Sequence, residues 1–162
     1  MEPALHLNAF VLHYATKLAD GIPEEAMDEE GAPGMHSPRW ILGHLAMAQA
    51  FGVRLLGGAP ACPKEWSKAF GPGSEPTNKP DPAPSKAELL AVLEKDNQAL
   101  AALVRSATPE KLAGPHGFGP MEAHLKTMAE FVSHLMTTHA CSHLGQLSAW
   151  RRLRGLPAVL GF

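Results

Sequence analysis

Apolar residues recur every three or four positions in four stretches of the chain, which is the spacing of a helix with one buried face. The first stretch predicts a helix over residues 4–19, with Leu7, Val11, Tyr14 and Leu18 on its apolar face. A glycine and a proline follow within four residues and supply a stop signal. The next segment is acidic and contains several glycines and prolines, so we expect a loop there.

The second stretch has the clearest start signal. Ser37 suits the N-cap position, and Pro38 suits the first helical position because the N–H that it lacks would be unpaired there. The predicted helix covers residues 38–56 and ends at Gly57 and Gly58. Its apolar face carries Ile41, His44, Ala48, Phe51 and Leu55.

The third helix is predicted over residues 86–107, because Ser85 and Glu88 form the pattern of a capping box. A long loop over residues 57–84, dense in glycine and proline, separates it from the second helix. A plain crossover is the favoured interpretation of this loop, and a functional covering is the alternative. Trp66 and Phe70 predict one short helical turn within it.

The fourth helix is predicted over residues 121–154 and is the longest. Its apolar positions alternate spacings of three and four, as on the seam of a bundle helix. They are Leu125, Met128, Val132, Leu135 and His139. No strand-like alternation is long enough to predict a sheet. We therefore expect an all-α four-helix bundle that forms a single domain over residues 1–162.

Composition and charge limit the classes of partner that we expect for this chain. The formal net charge is -2, and Arg151, Arg152 and Arg154 form the one local run of basic residues. They lie near a predicted helix end, where cations stabilise the helix dipole, and an anion contact is the alternative. This distribution of charge does not predict a basic surface that would bind nucleic acid. No apolar run approaches the ~20 residues of a membrane span. Two cysteines, Cys62 and Cys141, without a secretory signal indicate a cytoplasmic protein with free thiols.

Three histidines form the candidate chemistry. His139 and His143 lie four apart on one face of a helix, with Cβ atoms about 5–6 Å apart. They occupy core positions, where an unpaired polar group costs roughly 1–3 kcal/mol. A divalent metal would satisfy both imidazoles, and hydrogen-bonded core histidines are the alternative. His44 faces the core from the second helix and would complete a set of three ligands. Three protein ligands leave coordination positions of the metal open for water or substrate, as in catalytic sites.

Other residues near these histidines have weaker claims. His134 precedes His139 by five residues, which rotates it off the ligand face of a regular helix. Cys141 should face away from the metal and is expected to serve in packing. Trp40 shares the face of His44 and either forms a wall of the site or packs in the core. Glu122 and Glu130 are candidate partners of a ligand only by proximity in sequence.

Three segments resemble the DinB/YfiT-like family: residues 40–45 (WILGHL), 138–147 (THACSHLGQL) and 152–157 (RLRGLP). The resemblance extends over nearly the whole chain in helix order and loop lengths. It implies an up-down-down-up bundle, often a homodimer. It also implies a divalent metal on His44, His139 and His143, either nickel or zinc, with iron or manganese as alternatives. Gly145 would permit close helix packing, and Gln146 would orient a ligand or serve in packing.

Family members with known activities depend on thiols, as transferases of low-molecular-weight thiols or as a mycothiol-dependent maleylpyruvate isomerase. The leading hypothesis is therefore a metal-dependent enzyme that joins a small thiol to an electrophile. A metal-dependent hydrolase is the second hypothesis, although no general base is obvious beside the motif. A non-catalytic module that binds metal or a ligand is the third, and a bundle whose histidines hold no metal is the last.

Overall fold

The computed structural model describes residues 1–74 and 80–160. The regular elements in these two ranges are all helices, and no strand is present there. The helices are α1 (Glu2–Ala19), α2 (Pro38–Leu55), α3 (Trp66–Phe70), α4 (Lys86–Ser106), α5 (Pro109–Ala113), α6 (Gly119–Glu122), α7 (Met128–His134) and α8 (Ala140–Leu153). A 3-10 turn lies at Glu24–Ala26, and a π-helical segment, Leu135–His139, joins α7 to α8 in one continuous helix. No helix in this part of the chain is long and apolar enough to cross a bilayer.

Capping residues set the predicted starts of two long helices. Ser37 caps α2 by accepting a hydrogen bond from the Trp40 amide at 3.3 Å. Ser85 and Glu88 form a complete capping box at the start of α4. The short helical turn predicted at Trp66 and Phe70 is also present, as α3. The local signals for these elements are therefore confirmed.

The predicted start of the last long helix, residue 121, is wrong. The chain forms the short helix α6 there, and α7 begins only at Met128. Thr127 and Glu130 make a second capping box, in which each side chain accepts from the other residue's amide, at 3.2 and 2.9 Å. The Glu130 carboxylate therefore accepts from a backbone amide at the start of α7, and it is not a partner of the histidines.

The four long helices enclose the core, where α2 packs against α4 and α8, and α1 packs against the same two helices. Leu18, Ile41, Leu45, Leu89, Leu144 and Trp150 are among its fully buried side chains. One buried polar pair joins α1 to α4: Asn8 and Asn97 exchange two amide hydrogen bonds of 2.9 and 2.7 Å. Arg151 donates to the Leu18 and Asp20 carbonyls at the end of α1, so its role is structural.

The long connection after α2 is fastened to the core in its described part. The buried carboxylate of Asp96 accepts from the amides of Ala61 and Cys62 at 2.6 and 2.9 Å. The aromatic residues of α3, Trp66 and Phe70, are buried and form an edge-to-face pair. Residues 75–79, which the predicted loop includes, lie outside the described part. The connection thereby places α3 directly beside α2.

Candidate metal centre

The structure brings the three predicted histidines together between α2 and the last long helix. The ring centroids of His44, His139 and His143 lie 4.5 to 5.1 Å apart. The two Nε2 atoms of His44 and His139 are 3.1 Å apart. One nitrogen from each ring can be chosen so that all three lie within 4.8 Å of one another. The three imidazoles could therefore hold one metal ion.

Hydrogen bonds on the outer nitrogens orient two of the rings. His44 Nδ1 lies 2.7 Å from the Phe70 carbonyl, and His143 Nδ1 lies 3.3 Å from Oε1 of Gln146. A carbonyl oxygen only accepts, so each Nδ1 carries the proton and each Nε2 keeps its lone pair. This arrangement is typical of histidines that bind metal through Nε2. The predicted orienting role of Gln146 agrees with this contact.

Burial keeps the three imidazoles neutral. Loss of solvent is the main cause that lowers the pKa of His44 to about 4 and the pKa of His139 to about 3. The nearby His143 adds to both shifts, and burial lowers its own pKa as well. Neutral imidazole is the form that binds a cation. Nδ1 of His139 is buried without a hydrogen-bond partner in the described residues, so the cluster is not a satisfied hydrogen-bonded core.

A cavity of about 460 Å³ opens beside His44 and His139. The helix α2, the segment around α6, and α7 with the π-helical segment form most of its lining. The apolar lining includes Met47, Ala48, Phe51, Phe118, Phe131 and Leu135. The described lining residues include no carboxylate. The histidines therefore meet an apolar space large enough for a small molecule.

His134 lines this cavity together with His139, although regular helical geometry predicts that it turns away. The π-helical segment begins directly after His134 and ends at His139, and its wider turn brings positions five apart closer to one face than an α-helix does. Their ring centroids are 5.7 Å apart, and His134 Nδ1 lies 2.6 Å from Thr138 Oγ1. His134 does not belong to the three-histidine group, but it faces the same space. No signal in the sequence marks the π-helical segment.

Trp40 covers the outer side of the cluster. Its ring stacks on His44 with centroids 4.6 Å apart, and His36 stacks on its other face at 3.5 Å. Trp40 Nε1 donates to Ser74 Oγ at 2.8 Å, which fixes the indole in this position. Trp40 therefore forms a wall of the site, and it also belongs to the buried hydrophobic core, so both of its predicted roles are supported. His36, in the segment before α2, comes near the histidines through this stack.

Neither cysteine belongs to the three-histidine group. Cys62 is buried, and burial with the nearby Asp96 carboxylate raises the pKa of its thiol to about 12. Cys141 is exposed rather than packed, so its predicted packing role is wrong. A Cys62 thiol held in this form is a poor nucleophile at neutral pH.

Gly43 permits close packing next to His44, and the role predicted for Gly145 is wrong. A Cβ atom at Gly145 would meet nothing within 4 Å. A Cβ atom at Gly43 would lie 2.5 Å from the Phe70 ring. Gly43 thus lets α3 approach α2 closely enough for the Phe70 carbonyl to reach His44. The signal in the sequence was a glycine directly before the helix-two histidine.

Comparison with known proteins adds one match. A family model described as the DinB superfamily matches residues 9–147, a range that includes all three histidines and Gln146. No curated protein and no solved structure matches the chain.

Proposed function

This chain belongs to the DinB superfamily, and we propose that it is a divalent-metal-dependent enzyme that transfers a low-molecular-weight thiol to an electrophile. One observation carries the proposal: three neutral imidazoles converge, and two of them, His44 and His139, line an apolar cavity whose described lining includes no carboxylate. The thiol dependence of family members with known activities supports the same chemistry.

We assign His44, His139 and His143 as the metal ligands, with nickel or zinc as the ion. A divalent cation on these nitrogens would supply Lewis acidity, lowering the pKa of a thiol or a water molecule bound to it. The Phe70 carbonyl and the Gln146 amide oxygen hold the rings of His44 and His143 in place. Trp40 limits access of water to the outer face of His44.

The proposed reaction forms one carbon–sulfur bond. The thiol loses its proton to solvent, and the sulfur lone pair attacks the electrophilic carbon. A leaving group then departs with its bonding electrons. If the electrophile is instead an activated double bond, a proton from solvent returns to the adjacent carbon. The apolar cavity holds the electrophile beside the sulfur and excludes competing water.

A hydrolase is the weaker alternative, because the described residues of the site include no carboxylate that could act as the usual general base. Metalloproteases commonly place a glutamate beside the metal-bound water. Glu130 is occupied at the start of α7, and the described lining of the cavity includes no carboxylate. Metal-dependent ester or amide hydrolysis that proceeds without any thiol would favour the hydrolase.

We also propose that the four long helices form a bundle of up-down-down-up topology. Contacts at both ends of helix pairs support it. Lys86 reaches the Ala19 carbonyl while Asn97 pairs with Asn8, so α4 runs opposite to α1. Arg151 reaches Leu18, as expected for a last helix that runs with α1. His44 of α2 lies beside His139, and Gln49, further along α2, donates to the carbonyl of Leu135, earlier in the last helix, which supports opposite directions for these two helices.

The test begins with elemental analysis of the purified protein and of two variants. We expect about one equivalent of a transition metal in the wild type and a loss of most of it in His139→Ala. His13→Ala is the matched control, because His13 is an exposed histidine of α1 outside the cluster. The metal-loaded protein is then incubated with glutathione, mycothiol or bacillithiol and a panel of electrophiles.

Two outcomes would contradict the proposal. If no metal is bound even after reconstitution, the three histidines serve only to pack the core. Bound metal without consumption of any thiol would favour a non-catalytic metal-binding or ligand-binding module.

A further inference from the structure

The cavity beside the histidines is elongated along α2. Five residues of this helix line it at the spacing of one face: His44, Met47, Ala48, Phe51 and Arg54. Ten residues of α-helix separate the first from the last, which corresponds to about 15 Å along the axis. The metal centre therefore lies at one end of the cavity and an arginine at the other.

Aromatic rings form the middle of the cavity. Phe51 contacts Phe118 and Phe131 edge to face, with ring centroids 5.4 and 6.0 Å apart. Met47 and Met121 add flexible apolar side chains to the lining. A ligand that fills this part of the cavity must present an aromatic or aliphatic body.

Arg54 is the one permanently charged residue among the described residues of the lining. Its side chain has no ion pair or hydrogen bond in the described part of the chain. It is exposed at the rim, so its guanidinium can reach a ligand from solvent. A guanidinium binds a carboxylate or a similar anion through paired hydrogen bonds.

We propose that this cavity binds the electrophile, and that the electrophile is an elongated molecule with an apolar body and a terminal anionic group. The anionic group pairs with Arg54, the body lies against the phenylalanines, and the opposite end reaches the histidines. The assignment of this ligand as the electrophile depends on the proposed function. The binding preference itself depends only on the lining of the cavity.

The experiment measures binding of simple probes by calorimetry, without thiol. Hexanoate, octanoate, decanoate and dodecanoate are compared with the primary alcohols of the same chain lengths, using zinc-loaded protein. We expect affinity to rise with chain length and each carboxylate to bind roughly two- to fivefold more tightly than its alcohol. Arg54→Gln should remove this difference and leave alcohol binding unchanged. The control Arg105→Gln, an exposed arginine of α4, should preserve it.

A second variant tests the location. Ala48 is buried and lines the cavity, so Ala48→Phe should fill the space and weaken both classes of probe at least tenfold. Circular dichroism and zinc content show whether this variant keeps its fold. If it does not fold, chemical-shift changes in the methyl groups of Met47 and Met121 on addition of decanoate locate the probe instead.

The inference is wrong if carboxylates and alcohols bind equally, if Arg54→Gln leaves their ratio unchanged, or if neither location test places the probe in the cavity. These results differ from a failure of the proposed function. If carboxylate binding depends on Arg54 but no thiol is transferred, the anion site is supported and the transferase function is not. If thiol transfer to anionic and to uncharged electrophiles is equally efficient, the transferase function is supported and the anion site is contradicted.

Discussion

At the scale of single residues, the hydrogen bond made by Nδ1 of His44 and of His143 determines that Nε2 of the same ring keeps its lone pair. The Phe70 carbonyl selects one tautomer of His44, and Gln146 selects the same tautomer of His143. His143 and Gln146 lie three apart on one helix, so their contact follows from local geometry. His44 and Phe70 are brought together only by the packing of α3 on α2.

The contact of Gln146 with His143 predicts a measurable effect on metal affinity. Gln146→Ala removes the acceptor of the Nδ1 proton, so we expect zinc affinity to fall by roughly 10- to 100-fold. A competition titration with a chromophoric chelator measures this change. Gln98→Ala is the control, since Gln98 is an exposed residue of α4. Unchanged affinity in Gln146→Ala would mean that the contact does not orient the ligand.

At the scale of elements, two departures from regular helix packing shape the site. The π-helical segment Leu135–His139 turns His134 toward the cavity, and Gln49 of α2 donates to the Leu135 carbonyl at 3.4 Å. Gly43 permits the close approach of α3 to α2. Both features lie within one helical turn of a proposed ligand.

The two glycines of the recognised motifs predict opposite results on substitution. Gly43→Ala places a methyl group against the Phe70 ring, so we expect a loss of about 1–3 kcal/mol in unfolding free energy and weaker zinc binding. Gly145→Ala meets open space on an exposed helix face and should stabilise by about 0.5–1 kcal/mol. Urea denaturation measures both. Equal effects of the two substitutions would contradict the packing role of Gly43.

At the scale of the whole molecule, the metal centre joins parts of the chain that are about ninety-five residues apart, since His44 contacts His139. An ion held by α2 and by the last long helix would bind the folded chain and not the unfolded one. Its affinity would then contribute directly to stability.

This linkage predicts thermal stabilisation by metal. Zinc at about 100 times its dissociation constant should stabilise by about 2.7 kcal/mol, which corresponds to a rise of about 5–10 °C in Tm. Differential scanning calorimetry with and without EDTA measures the shift. His139→Ala should show no such shift. An equal shift in this variant would point to binding by other histidines.

The oligomeric state is a separate prediction, which follows from the family resemblance. We expect a homodimer, so light scattering should give about twice the 17.3 kDa mass of one chain. Leu7 and Phe10 of α1 are 52% and 48% exposed, so apolar surface is available on this helix. A mass of one chain across a tenfold dilution series would make the prediction wrong.

The sequence indicates the three histidines but not most of the residues that surround them. The residues were predictable because His139 and His143 share a helix face and His44 interrupts an apolar stripe. The cavity was not predictable, because Phe51, Phe118 and Phe131 come from three separate segments. The start of α7 was missed although Thr127 and Glu130 carry the pattern of a capping box.

The sequence by itself determined the four long helical stretches, apart from the start of the last one, and the identity of the candidate ligands, because caps, helical periodicity and spacing act between residues close in the chain. The tertiary structure alone decided which nitrogen of His44 is free, where His134 points, and that a cavity ends at Arg54. Those features depend on packing between segments distant in the chain, and the periodicity of one helix contains no information about the backbone or rings that its neighbours present.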